Sequence, residues 1–128
     1  MRELNREEEL EIIFRGGVRS GTDVAKLIGL GANVASIGVA LSLAMGGFIE
    51  GGCVTFYGNV SKEERIEAAE LFLRALSSEA AIMPRCTGKT DLRNIEPEDL
   101  RAITIATAKA TGLPLVGSGD LKAMRAGS

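Results

Sequence analysis

The chain contains no histidine and no tryptophan, and a single tyrosine. Without histidine the commonest general base is missing, so any proton transfer falls to carboxylates, lysines, Tyr57 or a bound cofactor. Cysteine is scarce. Cys53 and Cys86 lie far apart and form no Cys-x-x-Cys pair. Two unpaired thiols fit a reducing, cytoplasmic setting. A dominant charge sign is also missing: the formal net charge is −2. With no basic footprint, nucleic acid is not an expected partner. Nor is there a long hydrophobic run. The stretch from Val34 to Met45 is the longest nearly uncharged one, and it is too short to cross a bilayer. The strongly charged first residues do not read as a signal peptide.

What the chain has is glycine, 16 of them, and their placement is informative. Leu10-Glu11-Ile12-Ile13-Phe14 is a short apolar run that ends on Gly16-Gly17, so it reads as a buried strand. Both glycines lack a Cβ and permit unusual φ and close backbone approach. Ser20 or Thr22 caps the helix that follows, with Asp23 favourable in its first turn. Val24, Leu27 and Ile28 give that helix one apolar face. Gly31 ends it in a left-handed conformation. Val34, Ala35 and Ile37 read as a second buried strand, and Gly38 opens a second turn. Strand, helix and parallel strand make a right-handed βαβ unit. Two glycine turns then lie on the same end of one sheet, where their N–H groups suit a phosphate.

Blander readings compete. Each glycine pair also serves as simple turn punctuation. Gly29-Leu30-Gly31 fails as a dinucleotide fingerprint, because it closes a helix instead of joining strand to helix. Gly88-Lys89-Thr90 fails as a P-loop, because Met83 stands where its first glycine is required. Glu96, Glu98 and Asp99 read as a solvated helix start and not as a metal site.

A glycine-rich stretch, 46–59, divides the chain, and within it Cys53–Tyr57 reads equally as strand or packed loop. Beyond it the pattern is helical. Ser61 and Glu64 form a capping box. Ile66, Ala69, Leu73 and Leu76 lie on one stripe of a helix expected to run to about Ala80 and to yield before Pro84. Phe72 and Met83 read as core packing. Pro97 suits the first position of a further helix, with Leu100 and Ile103 packing inward and a stop at Gly112-x-Pro114.

Gly16–Asp23 with Val24-Ala25-Lys26, then Gly31-Ala32-Asn33 and Ile37-Gly38, resembles the last two βα units of the FMN-binding barrel of glutamate synthase. Gly88-Lys89-Thr90-Asp91-Leu92, Pro97–Ala102 and Thr111-Gly112-Leu113-Pro114-Leu115 are similar to the tail that follows this barrel in archaeal-type glutamate synthases. The match spans roughly residues 10 to 117. The resemblance implies an α/β fold: a partial TIM barrel, its last two βα units, followed by a helical tail. It implies FMN as cofactor, the phosphate held by Gly16, Gly17 and Arg19 from the first turn and Ile37 and Gly38 from the second. The family reaction makes glutamate from 2-oxoglutarate and ammonia, with electrons arriving through an iron–sulfur cluster and FMN.

Three departures bear on that expectation. The family's cysteine cluster needs several thiolates at one site, and two cysteines cannot supply three, so no iron–sulfur cluster is expected from this chain alone. Arg15 precedes the glycines where the family has a small residue; it either crowds the site or pairs with a phosphate. Val39 follows Gly38 and offers no hydrogen bond. A complete barrel takes about 250 residues, against 128 here. The expected organisation is a βαβα unit over 1–47, a glycine-rich connection over 48–60, a helical tail over 61–117 and a mobile terminus over 118–128. An isolated two-strand parallel sheet leaves apolar surface bare. The expectation is therefore a chain that completes a barrel with another polypeptide, self-associates, or is a repacked relic. Two functional readings stay open: a flavin-binding part of an oxidoreductase that is inactive alone, and a non-catalytic relic kept for association or regulation.

Overall fold

The computed structural model describes residues 10–118. The terminus expected to be mobile lies, beyond Ser118, outside the described residues. Strand β1 (Ile13–Arg15) leads through Gly16–Ser20 into helix α1 (Gly21–Gly29). Ser20 is the cap: its backbone is extended and its hydroxyl accepts from the Asp23 N–H at 3.2 Å. After Leu30 the chain turns at Gly31, whose φ of +104° is the left-handed region that glycine adopts cheaply. It then enters strand β2 (Val34–Ser36), which pairs parallel with β1 in the register Ile13 to Val34 and Arg15 to Ser36. Helix α2 (Val39–Ala44) follows the second turn.

These strands are not buried, contrary to the sequence expectation. Ile13 is 65% exposed and Val34 46%. The apolar composition suits a two-sided cover, but among the described residues no second layer lies over this sheet. β1 also begins later than Leu10, and β2 stops before Ile37.

The glycine-rich connection is a β-hairpin. Strand β3 (Phe48–Glu50) pairs antiparallel with β4 (Cys53–Thr55) around Gly51-Gly52, both at positive φ. Phe48 stacks on Tyr57 with ring centroids 4.3 Å apart, and Tyr57 donates to Glu50 at 2.7 Å. Arg65 lies over the Phe56 ring and donates to the Tyr57 carbonyl at 2.7 Å, which ties the hairpin to the next helix.

That helix, α3 (Lys62–Cys86), opens on the expected Ser61–Glu64 capping box. It does not yield before Pro84. Proline costs one helical hydrogen bond and a ring clash in the interior of a helix, but only two helical residues follow it here. The ring itself is fully buried. The buried stripe is also rotated from the one expected. Leu76, Ala80 and Pro84 face inward, while Ile66 and Leu73 are exposed at 56% and 42%. The face that meets α1 is the buried one, because α1 is what covers it.

Helices α1 and α3 meet closely at Gly21. A Cβ on Gly21 would overlap the Ala80 nitrogen and the Leu76 carbonyl oxygen, and would reach within 2.7 Å of Glu79 Cβ. Gly29 plays the same part at the other end of α1, against Ile95 and Leu100. The tail is less helical than expected. Pro97–Asp99 is a single 3-10 turn, and Ile103 is 86% exposed instead of packed inward. Asp99 caps the Glu96 N–H at 2.9 Å and so closes the turn after one cycle. The chain then runs extended so that Ala102 can bridge Leu115. Helix α4 (Ile105–Thr111) ends at left-handed Gly112, as its Gly-x-Pro signature predicts. Buried Val18, Ala25, Leu76, Ala80, Ile95, Ala102 and Leu113 form the core.

Candidate functional site

Parallel pairing of β1 and β2 decides where the two glycine turns go. Arg15 and Ser36 are partners at the ends of their strands. The Gly16–Ser20 and Ile37–Gly38 turns therefore leave the same edge of the sheet, side by side. Gly16 and Gly17 hold φ of +113° and +69°, conformations that cost a side-chain-bearing residue about 1 kcal/mol or more. A Cβ built on Gly16, Gly17 or Gly38 would meet nothing within 4 Å. The space over all three is open, and all three are exposed. Among the described residues, their N–H groups make no backbone hydrogen bond outside the strand pairing.

Arg19 is placed differently. Its backbone N–H donates to the Asp23 carboxylate at 3.1 Å, so only its exposed guanidinium is left to meet an anion. Partial burial pushes the Asp23 carboxyl up. The bonds from Arg19 N–H and from Ser20, with the charges of Lys26 and Arg19, outweigh it and hold the group below its usual range. Arg15 and Val39 are exposed beside the two turns. Ile37 is half-buried and brings its backbone to the edge.

Glu79 of α3 is the residue that sequence reasoning missed. Its carboxylate accepts from the Gly21 N–H at 2.8 Å, from the Thr22 N–H at 3.2 Å and from the Thr22 hydroxyl. The Thr22 hydroxyl and then the Gly21 N–H hold its pKa below the ordinary 4.5. The signal available was an acid beside the inward positions Leu76 and Ala80, where a carboxylate needs a partner. A depressed carboxyl stabilises the folded state fully above its ordinary value, and that contribution is lost as pH falls through the depressed one. The thermal midpoint should therefore fall further from about pH 5 to about pH 3 in the native chain than in Glu79→Gln. Parallel curves for the two proteins contradict this.

Other candidate features resolve as structure. Lys89 Nζ pairs with Asp99 at 2.7 Å and with Glu96 at 3.0 Å, so the Gly-Lys-Thr segment and the acid cluster lock one loop together. Cys53 and Cys86 are free, exposed thiols. A hollow of about 760 Å³ opens at the other end of the sheet, against Ile12, Ile28, Asn33 and Ile95. Parallel sheets gather ligands at the carboxyl ends of their strands, and that is the glycine-turn edge. No helix among the described residues is long and apolar enough to cross a membrane.

Known proteins resemble this chain over much of its length. The family model for FMN-dependent dehydrogenases matches residues 2–71, more than half of the chain and including both glycine turns. The chain belongs to that family. A glutamate synthase large subunit-like protein of Rhizobium meliloti is 29% identical over 147 aligned positions, covering 92% of this chain and 33% of that protein. An isopentenyl-diphosphate delta-isomerase of Methanopyrus kandleri is 45% identical over 60 residues, 45% of this chain and 16% of that enzyme. The chain thus spans about a third or less of the curated relatives it matches. No solved structure matches it. The resemblance to glutamate synthase holds, and the chain represents part of a flavin-binding, oxidoreductase-type domain.

The residues present fit a flavin phosphate. Gly16, Gly17 and Gly38 are exposed with open space where a side chain would stand, so a ligand can approach their backbone, and Arg15 and Arg19 supply nearby positive charge. The fit rests on the backbone more than on side chains, since Val39 offers no donor.

Proposed function

We propose that this chain is the FMN-phosphate-binding, C-terminal portion of a glutamate-synthase-like oxidoreductase barrel, and that it needs the remaining barrel strands for activity. One observation carries the reading: the parallel register of β1 and β2 sends both glycine turns off one sheet edge. Gly16, Gly17 and Gly38 would hold the phosphate through backbone N–H groups, with the Arg19 guanidinium as counter-charge and Ile37 setting the second turn. FMN, when bound, supplies the electron and hydride transfer that no side chain of this histidine-free sequence performs. The chain's own part is to orient the cofactor's phosphate.

The bare faces and edges of the sheet support the need for a completing partner. Ile13, Phe14 and Val34 are exposed, and such a sheet normally has neighbouring strands and covering helices. We favour the remaining barrel strands over self-association, because the glutamate synthase relative is about three times the length of the region matched.

The test is flavin absorbance in the purified chain, produced alone and with its neighbouring gene products. The expected result is weak or no flavin alone, flavin bands in the co-produced complex, and no glutamate formation by the chain alone. Flavin in neither preparation overturns the reading, and so does glutamate formation by the isolated chain.

A further inference from the structure

Resting on that reading, we infer that Glu79 is a specificity-determining residue: it fills the N-terminus of α1 and confines a bound ligand to a single phosphate on the two glycine turns. A helix N-terminus next to a glycine loop ordinarily offers its first N–H groups to an anion. Here those groups are taken. Gly21 and Thr22 donate to the Glu79 carboxylate, Asp23 donates to Ser20, and Arg19 donates to Asp23. Every N–H from Arg19 to Asp23, except the Ser20 one, has an acceptor inside the chain. The donors left open are the single Ser20 N–H and, further back along the loop, Gly16 and Gly17.

Charge reinforces the geometry. A phosphate on the glycine turns lies one loop away from Glu79 and Asp23. A second phosphate extending toward α1 would meet two carboxylates in place of two free N–H groups. Like charges at such range cost roughly a tenfold change in affinity each. The site therefore selects a monophosphate such as FMN and rejects the diphosphate of FAD. Glu79 reaches this position because Gly21 lets α3 touch the backbone of α1. The anchor that docks the two helices is thus also the group that closes the second phosphate position.

The experiment is amide NMR on the isotope-labelled chain in complex with its barrel partner, titrated separately with inorganic phosphate, FMN and FAD. FMN and phosphate should shift the Gly16, Gly17 and Gly38 amides and leave Gly21 and Thr22 unmoved, and FAD should bind at least about tenfold more weakly than FMN. Glu79→Gln should narrow that FMN preference about tenfold. Thr22→Val, which loosens the anchor but keeps the charge, should leave the preference unchanged. A purely structural role for Glu79 would lower both affinities together and keep their ratio. Shifts led by Gly21 and Thr22 in the native chain overturn the inference alone, and this arm needs no variant to fold. An unchanged ratio in folded Glu79→Gln overturns it as well. Absence of any shift with FMN removes the flavin reading, and the inference with it.

Discussion

Gly21→Val is expected to cost about 3 kcal/mol or more, a large share of the roughly 5–15 kcal/mol that holds a domain together. The new side chain would overlap backbone atoms of α3, at Ala80 and Leu76, and not the movable end of a side chain. Backbone inside a helix cannot step aside without breaking its own hydrogen bonds. Relief therefore requires α1 and α3 to part, which strips the Glu79 carboxylate from Gly21 and Thr22 and exposes Ala25 and Leu76. Denaturant unfolding measures the loss directly. Gly38→Ala is the control: nothing lies within 4 Å of a Cβ there, its φ is −128°, and the stability change should stay within about 0.5 kcal/mol. Equal effects at the two positions contradict the close helix crossing.

Gly17→Val should weaken FMN binding about a hundredfold, close to 3 kcal/mol. Two effects combine. A β-branched residue at φ +69° strains the turn by about 1–2 kcal/mol. Its side chain would also stand in the open space over the turn, where the phosphate would lie. Fluorescence titration of FMN against the complex with its barrel partner reads the loss. Gly31→Val supplies the contrast. It imposes similar strain at φ +104°, but at the opposite end of the sheet. It should lower stability and leave flavin affinity within about twofold. A Gly17→Val protein that binds FMN as well as the native chain contradicts the assignment of that turn.

Where the sequence was legible, a local rule carried the reading. Ser20, Gly31, the Ser61–Glu64 box and Gly112 each act on neighbours within four residues, so their roles follow from the chain itself. The βαβ unit was legible for the same reason. What escaped was set by distant partners. The inward stripe of α3 follows α1, so Leu76, Ala80 and Pro84 turn in while the equally apolar Ile66 and Leu73 do not. Pro84 stays helical because its buried ring sits two residues from the helix end. The glycines of 46–59 leave Cys53–Tyr57 open between strand and packed loop, and pairing with Phe48–Glu50 decides for a strand, with Gly51 and Gly52 as the hairpin turn. Leu100 and Ile103 suggest a longer helix, but Asp99 closes its turn on Glu96 and the chain runs extended to bridge Leu115.

The site was legible in its glycines and not in its competitors. Gly16, Gly17 and Gly38 emerge together because parallel strands in register leave them no alternative. Arg19 changes character, since Asp23 removes its backbone N–H from service. Glu79, far along the chain, takes the Gly21 and Thr22 N–H groups at the start of α1.

A crystal structure of the chain with its barrel partner, grown with FMN, tests the central claim most directly. The account predicts the phosphate seated between the Gly16-Gly17 turn and Gly38, with Glu79 still bonded to Gly21 and Thr22. A phosphate bound at the Ile12–Asn33 end of the sheet, or the two glycine turns splayed apart, would contradict it.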